Sequence, residues 1–166
     1  SVSESFPTTL GKLKRKRDRF FVWAHYYDPH DPYFKVSNYP SDGSDFERYQ
    51  AIVRSVDTQI VRVIKALKQK KLWQDTMLII TSDHGDEFFD HGHRFHGKTL
   101  YEEMVHVPLL IFMPHQKGIQ VKANISHRDV VPTILSQLGL HTSKKFTGYD
   151  WSQWLHARSL GRDQLS

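Results

Sequence analysis

A short apolar run that stops at an Asp-His-Gly tripeptide constrains this chain more than any other feature. Residues 77–80 read Met-Leu-Ile-Ile, the composition of a buried strand, and Asp83, His84 and Gly85 follow closely. Because ligands of open parallel sheets bind beyond the carboxyl ends of the strands, we expect these polar side chains at a binding site. Imidazole with carboxylate suits Zn²⁺ or Mn²⁺, whereas Ca²⁺ prefers oxygen ligands.

The segment after this tripeptide is rich in histidine. The window 81–106 holds five of the chain's eleven histidines, and its position 98 is a lone lysine. Spacing alone does not decide which histidines bind a ligand, since polar loops of this composition are common. Lys98 is either a surface lysine at a helix start or a fixed charge for a phosphate or sulfate oxygen. The five histidines are His84, His91, His93, His96 and His106.

Composition narrows the class of protein. The chain has 166 residues, of which 39% are hydrophobic, enough to build the core of one domain. It has no cysteine, so it can form neither a disulfide nor a thiolate site. The net charge is +5, and residues 12–17 carry much of it. No aromatic residues interrupt these charges, so we expect a solvated surface segment and no nucleic-acid partner.

Apolar periodicity predicts alternating strands and helices. A strand is expected over 19–25, a loop at the prolines of 28–32, and an amphipathic helix over 45–71. Further strands are expected over 76–82 and 107–113, with a short helix over 99–104 and a capped helix over 124–140. The tail 144–155 is apolar enough to dock on the body. The predicted fold class is α/β, with a mostly parallel sheet flanked by helices. The predicted apolar stripe of the long helix is Phe46, Tyr49, Val53, Val56, Ile60, Ile64 and Leu67.

The candidate site is incomplete on these residues alone. Asp83 and His84 are two ligands, and a protein metal site usually has three or four. The chain offers no cysteine nucleophile and no serine in a Gly-x-Ser-x-Gly turn. The sequence therefore predicts half of a site.

Five segments together resemble a known family. They are 77–88 (Met-Leu-Ile-Ile-Thr-Ser-Asp-His-Gly-Asp-Glu-Phe), 96–103 (His-Gly-Lys-Thr-Leu-Tyr-Glu-Glu), 107–111, 21–33 and 126–140. In the order in which they follow one another along the chain, they resemble the C-terminal part of the sulfatase catalytic domain, in the alkaline phosphatase superfamily. The resemblance implies an alkaline phosphatase-like partial domain over 19–155, preceded by a basic segment, 1–18, and followed by a polar tail, 156–166.

The resemblance assigns roles to residues of this chain. Asp83 and His84 match two metal ligands; the family implies Ca²⁺, while histidine at position 84 leaves Mn²⁺ and Zn²⁺ as alternatives. His30 matches a histidine that contacts the sulfate group. Lys98 matches a residue that holds the anion or aids the leaving group, and His96 matches a histidine at the edge of the site. Three other histidines receive no such role, His25 as a weaker match and His91 and His93 as scaffold.

The same resemblance implies what lies outside the chain. The family's remaining aspartate ligands and its Cys-x-Pro-x-Arg segment, whose cysteine or serine becomes the formylglycine nucleophile, precede residue 1 in the family's order. This implies a fragment that is inactive by itself and a sulfate-ester substrate. The family also implies a periplasmic, secreted or membrane-anchored protein, with any membrane association through the missing segment.

Two other functions compete with this one. The first is a phosphoglycerol or phosphoethanolamine transferase, or a phosphodiesterase, of the same superfamily, with threonine or serine as nucleophile. The second is a non-catalytic metal-binding or interaction module, which the missing nucleophile favours.

Overall fold

The computed structural model describes residues 6, 10–11, 19–34, 43–116, 118, 120–141, 143 and 145–152. The chain forms two compact units, Ser1–Pro114 and His115–Ser166. The predicted polar tail, 156–166, and most of the basic segment, 1–18, lie outside the described residues, so these boundaries stay predictions. The first unit contains α1 (Asp45–Gln69), a 3-10 turn (Trp73–Asp75), β1 (Leu78–Thr81), β2 (Glu87–Phe88), β3 (Arg94–Phe95), α2 (Glu102–Val105) and β4 (Leu109–Phe112), and the second contains α3 (His127–Gln137).

The long helix α1 begins at a capping box. The Ser44 hydroxyl accepts a hydrogen bond from the Glu47 N–H at 3.3 Å, and the Glu47 carboxylate accepts one from the Ser44 N–H at 2.7 Å. Lys70 ends the helix, and Lys71 adopts a left-handed φ of 59°. The predicted helix is confirmed, with its C-terminus two residues earlier than expected.

The buried face of α1 differs from the predicted stripe. Of the seven residues expected in it, only Leu67 is fully buried, while Phe46 and Val53 are 48% and 40% exposed. The predicted stripe contained only large side chains, whereas Ala51 and Ala66 also lie on the buried face and allow close packing there. The buried residues of α1 are Ala51, Ile52, Val63, Ala66 and Leu67, and the last three pack with Phe6 and Leu10.

The structure does not confirm a mostly parallel sheet. β1 pairs antiparallel with β4, from Leu78 opposite Phe112 to Thr81 opposite Leu109. β2 and β3 form an antiparallel hairpin. Apolar runs predict that strands exist but do not encode their direction, and the chain between β1 and β4 reverses through the hairpin and α2.

The strand expected over 19–25 is also absent from the described strands. This segment forms no ladder with the described residues, and Phe21 and Trp23 are 75% and 78% exposed. A segment with high β-propensity forms a strand only when a neighbouring strand pairs with it, and propensity alone does not provide that neighbour.

In the second unit, a close approach of two backbones fixes the segment after α3. Ser126 caps this helix with Asp129 as the reciprocal partner, as expected. Pro132 lies inside the helix and cannot donate to the Arg128 carbonyl. Gly148 packs against that carbonyl, since a Cβ placed at Gly148 would lie 2.0 Å from the Arg128 oxygen.

The rest of this segment is fastened by polar contacts. Both oxygens of the buried Asp129 carboxylate accept backbone N–H groups, from Ser126 at 2.9 Å and from Tyr149 at 2.8 Å. The Trp151 N–H donates to the Thr133 hydroxyl at 3.2 Å, and Trp151 is only 4% exposed. The predicted docking of the tail is confirmed for Trp151; Trp154 lies outside the described residues.

We expect Gly148→Ala to lower the free energy of unfolding by about 1–3 kcal/mol, because backbone atoms must move to admit the methyl group. Gly118→Ala is the matched control, since a Cβ there meets nothing within 4 Å. Urea unfolding of the 166-residue chain measures both variants. Equal stability of the two would contradict the close approach.

Candidate active site

The chain turns directly after β1, and this turn brings the side chains of Asp83 and His84 together. The Asp83 carboxylate accepts the His84 backbone N–H at 3.0 Å, and its other oxygen lies 3.8 Å from the His84 Nε2. Two atoms that share one metal ion at about 2.0–2.2 Å can be no more than about 4.4 Å apart. The two side chains are therefore close enough to share an ion, although successive residues of a regular strand would point to opposite faces.

Electrostatics favours the charged form of Asp83. Burial raises the pKa of the Asp83 carboxyl group. The charge of His84, hydrogen bonds from the backbone and the charge of His25 lower this pKa by more, so the net shift is downward. The influence of His25 means that the segment after residue 19 reaches the end of β1. Two separate regions of the sequence therefore converge at this site.

Glycine is needed at position 85 because of the backbone that packs against it and not because of its own φ. It does not adopt a left-handed φ. Its N–H donates to the Met104 carbonyl at 2.9 Å, and a Cβ would lie 1.9 Å from the Glu103 oxygen. The site loop thus lies directly on the backbone of α2, and only glycine fits there.

Three histidines from distant positions meet at this loop. The His96 ring centroid lies 4.2 Å from that of His84 and 5.0 Å from that of His30. His30 comes from the proline-containing loop and stacks on Tyr27 at 4.6 Å. With Asp83 beside His84, the structure therefore brings together four of the five residues that the sequence predicted for the site, all but Lys98.

Each of these histidines uses the same ring nitrogen to fix its orientation. The Nδ1 of His84 lies 2.9 Å from the Gly85 carbonyl, and that of His30 lies 2.6 Å from the Asp31 carbonyl. The Nδ1 of His96 lies 2.8 Å from an Asp86 oxygen. Carbonyls and carboxylates accept hydrogen bonds, so Nδ1 carries the proton and Nε2 keeps its lone pair. None of the three Nε2 atoms forms a hydrogen bond with a described residue.

Asp86 is a residue of the site that sequence reasoning missed. Its side chain is 5% exposed, and its second oxygen accepts the Tyr33 hydroxyl at 2.6 Å. Burial, followed by this hydrogen bond and the charge of Asp86, raises the pKa of Tyr33 far above its ordinary range. Asp86 follows the Asp-His-Gly tripeptide immediately, which was the only signal in the sequence.

Lys98 is exposed and forms no hydrogen bond or ion pair within the described part of the chain. Gly97, which separates it from His96, has a left-handed φ of 83°. No contact joins Lys98 to the three histidines, so its role as an anion contact stays a prediction.

Two overlapping sets of side chains could hold a divalent cation here. One consists of His84, Asp86 and His96, and the other of His30, Asp31 and His96; within each set the ligand atoms lie within 4.8 Å of one another. Both sets mix nitrogen and oxygen donors, a combination that suits Mn²⁺ or Zn²⁺. The donor chemistry of the site therefore fits a metal ion.

A neighbouring cluster around Glu87 serves the scaffold. Glu87 is only 1% exposed, and one of its oxygens accepts the backbone N–H groups of His91 and His93, both at 3.1 Å. Its other oxygen accepts the Thr99 hydroxyl at 3.0 Å. The His91 ring stacks on Tyr101 at 3.6 Å. These contacts agree with the expectation that His91 and His93 are scaffold.

We expect Glu87→Gln to destabilise the protein at pH 7. Burial raises the pKa of Glu87, but hydrogen bonds from His93, Thr99 and His91 lower it more, to below its ordinary value of 4.5. The stabilisation is therefore present above about pH 4.5 and is lost as the pH falls through the lower, folded-state pKa. Urea unfolding from pH 7 to pH 3 should show the difference between wild type and variant shrinking.

Glu102→Gln is the control for this measurement, because the Glu102 side chain is 83% exposed. A Glu87→Gln effect that stays constant across this pH range would contradict the assignment.

Comparison with known proteins places this geometry in a class. The family model described as Sulfatase matches residues 2–140. Arylsulfatase K from Bos taurus is 37% identical over 102 residues, 61% of this chain and 19% of that protein. The phosphonate monoester hydrolase SpPMH from Silicibacter pomeroyi is 32% identical, with a TM-score of 0.64 over 68% of this chain and 22% of that one. Ps i-CgsB in complex with k-i-k-neocarrahexaose is 21% identical, with a TM-score of 0.74 over 95% of this chain and 38% of that one.

These likenesses show that the chain has part of the alkaline phosphatase-like fold of the sulfatases. More narrowly, the chain belongs to the sulfatase family, whose model matches well over half of its residues. The chain spans about a fifth of the length of the arylsulfatase K relatives that it matches, 19% for the bovine protein.

Proposed function

We propose that this chain is part of a sulfatase that hydrolyses sulfate esters. The observation that carries the proposal is the convergence of His30, His84 and His96, each anchored through Nδ1 with Nε2 available. An imidazole held in this way can bind a metal ion through Nε2 or, when protonated, can donate to a sulfate oxygen. The histidines come from separate loops, so an accident of local sequence does not explain their meeting.

Side chains that can carry a positive charge would recognise the anionic sulfate ester. We assign His30 and His96 to contact with the sulfate oxygens, where fixed donors would stabilise the charge that develops during cleavage. Either imidazole, when protonated, can also give a proton to the leaving alcohol. Lys98 would add a permanent positive charge for a bound anion.

Asp83 and His84 would hold a divalent cation. The family is generally metal-dependent, and the resemblance favours Ca²⁺, whereas the imidazole of His84 also suits Mn²⁺ or Zn²⁺. When bound, such a cation supplies positive charge that neutralises the sulfate oxygens. Asp83 and His84 contribute two ligands, so further ligands must come from other side chains.

The chain contains neither a Cys-x-Pro-x-Arg nor a Ser-x-Pro-x-Arg segment. We propose that a longer protein supplies a formylglycine from an upstream Cys-x-Pro-x-Arg segment. Sequencing the upstream coding region tests this directly, since a threonine in place of that cysteine would favour phosphoryl transfer.

A periplasmic, secreted or membrane-anchored location is part of the same proposal. No helix among the described residues is long and apolar enough to cross a membrane.

A second candidate function is hydrolysis of a phosphate or phosphonate ester. It is favoured by the likeness to the phosphonate monoester hydrolase, at 32% identity. Both candidate functions would use the same residues to bind an anion, but their substrates differ in charge. Assays of the full-length protein with aryl sulfate, aryl phosphate and aryl phosphonate distinguish them, and the highest kcat/KM identifies the preferred ester.

We expect His84→Ala to abolish ester hydrolysis by the full-length protein and to weaken divalent-cation binding by more than about 100-fold, the upper range for loss of an outer-shell partner. His93→Ala is the matched control, because His93 is exposed and its hydrogen bonds with Glu87 and Phe89 are made by its backbone. Isothermal titration with Ca²⁺, Mn²⁺ and Zn²⁺ measures binding. Unchanged affinity in His84→Ala would remove His84 from the ligand set.

We expect Lys98→Ala to lower kcat/KM by about 10²–10³-fold, as does removal of other donors to a developing anion. Lys98→Arg keeps the charge and should recover part of the activity. Lys65→Ala, an exposed lysine of α1, is the control. Full activity in Lys98→Ala would leave Lys98 as a surface residue.

A further inference from the structure

Asp86 is the residue through which the three loops of the site meet. It lies after β1, His96 lies after β3, and Tyr33 lies at the end of the proline-containing loop. Both oxygens of the Asp86 carboxylate are engaged, one near the His96 Nδ1 at 2.8 Å and one by the Tyr33 hydroxyl at 2.6 Å. The side chain is 5% exposed, so water does not compete freely for these hydrogen bonds.

We propose that Asp86 is a positioning residue for His96, and that Tyr33 in turn positions Asp86. The carboxylate can only accept, so the hydrogen bond holds the His96 proton on Nδ1 and leaves Nε2 to act. It also fixes the plane of the ring between His30 and His84. A histidine oriented by a carboxylate is a common device for setting both the tautomer and the direction of the imidazole.

The contact with Tyr33 makes this arrangement more than a single hydrogen bond. An aspartate bound only to His96 could rotate and release the ring. With its second oxygen held by a buried phenol, which is 6% exposed, the carboxylate has one orientation. Tyr33 packs among aromatic rings, with Tyr49 at 5.7 Å and Phe88 at 5.7 Å, so its hydroxyl is itself fixed. The aromatic cluster thus determines where the His96 Nε2 points.

The tautomer can be measured without any enzyme activity. We expect ¹⁵N-histidine NMR of the 166-residue chain at about pH 8.5, roughly two units above the ordinary imidazole pKa, to show His96 with its proton on Nδ1. The His96→Gln spectrum assigns the signal. In Asp86→Ala, the His96 signal should move toward the mixture of tautomers found in free imidazole. An Nε2–H tautomer in the wild type, or an unchanged signal in Asp86→Ala, would overturn the proposal.

The kinetic test rests on the proposed function and uses the full-length protein. We expect Asp86→Ala to lower kcat by about 10–100-fold, the usual effect of losing a partner that orients a histidine, with a much smaller change in KM. Asp86→Asn keeps the shape and an acceptor oxygen, so it should retain more activity than Asp86→Ala. Asp57→Asn, on the exposed face of α1, is the matched control.

Tyr33→Phe provides a milder variant in case Asp86→Ala fails to fold. It removes one hydroxyl and keeps the ring packing, and we expect a smaller loss of kcat together with a shift of the His96 signal. Tyr49→Phe is its control, since the Tyr49 hydroxyl forms no hydrogen bond with a described residue. Wild-type kcat in both Tyr33→Phe and Asp86→Asn, with an unchanged His96 signal, would overturn the proposal. Absence of any ester hydrolysis in the wild type, with the expected tautomer, would count against the proposed function alone.

Discussion

Two adjacent carboxylates shortly after β1, those of Asp86 and Glu87, are buried, and the surrounding residues form hydrogen bonds with both. Burial of a charged carboxylate costs several kcal/mol unless hydrogen bonds replace the lost water. As neighbours entering a strand, the two side chains point in opposite directions. Asp86 binds the groups of the site, His96 and Tyr33, whereas Glu87 binds the backbone of the hairpin loop. One short segment therefore fixes both the functional side and the scaffold side of the loop.

The sequence predicted the features that depend on local chemistry. A capped helix was expected over 124–140, and Ser126 caps α3 together with Asp129, because a cap is decided by residues three positions apart. The end of β1 and the pairing of Asp83 with His84 also depend on a few consecutive residues. The role of His30 as a contact of the sulfate group entered the prediction only through resemblance to a family, since nothing local relates it to residues 84 or 96.

What the sequence did not predict depends on contacts between distant segments. The direction of β4 relative to β1 is set by the path of the chain between them, and an apolar run has no direction. The burial of Asp86 requires Tyr33, which lies 53 positions away. The need for glycine at position 85 comes from the backbone of α2, and not from its own φ. In each case the determining partner could not be identified from residues nearby in the chain.

The charge balance of the site supports the proposal that Asp83 and His84 hold a divalent cation. Three carboxylates, Asp31, Asp83 and Asp86, lie among the histidines, and the upward effect of burial on the pKa of Asp83 is outweighed, which keeps it ionised. Three carboxylates at one site would repel a sulfate or phosphate ester. A divalent cation at Asp83 and His84 would reverse the sign of the local field, as bound cations do in other sites. The carboxylates orient the histidines, and a cation is what would make the same site attractive to an anionic substrate.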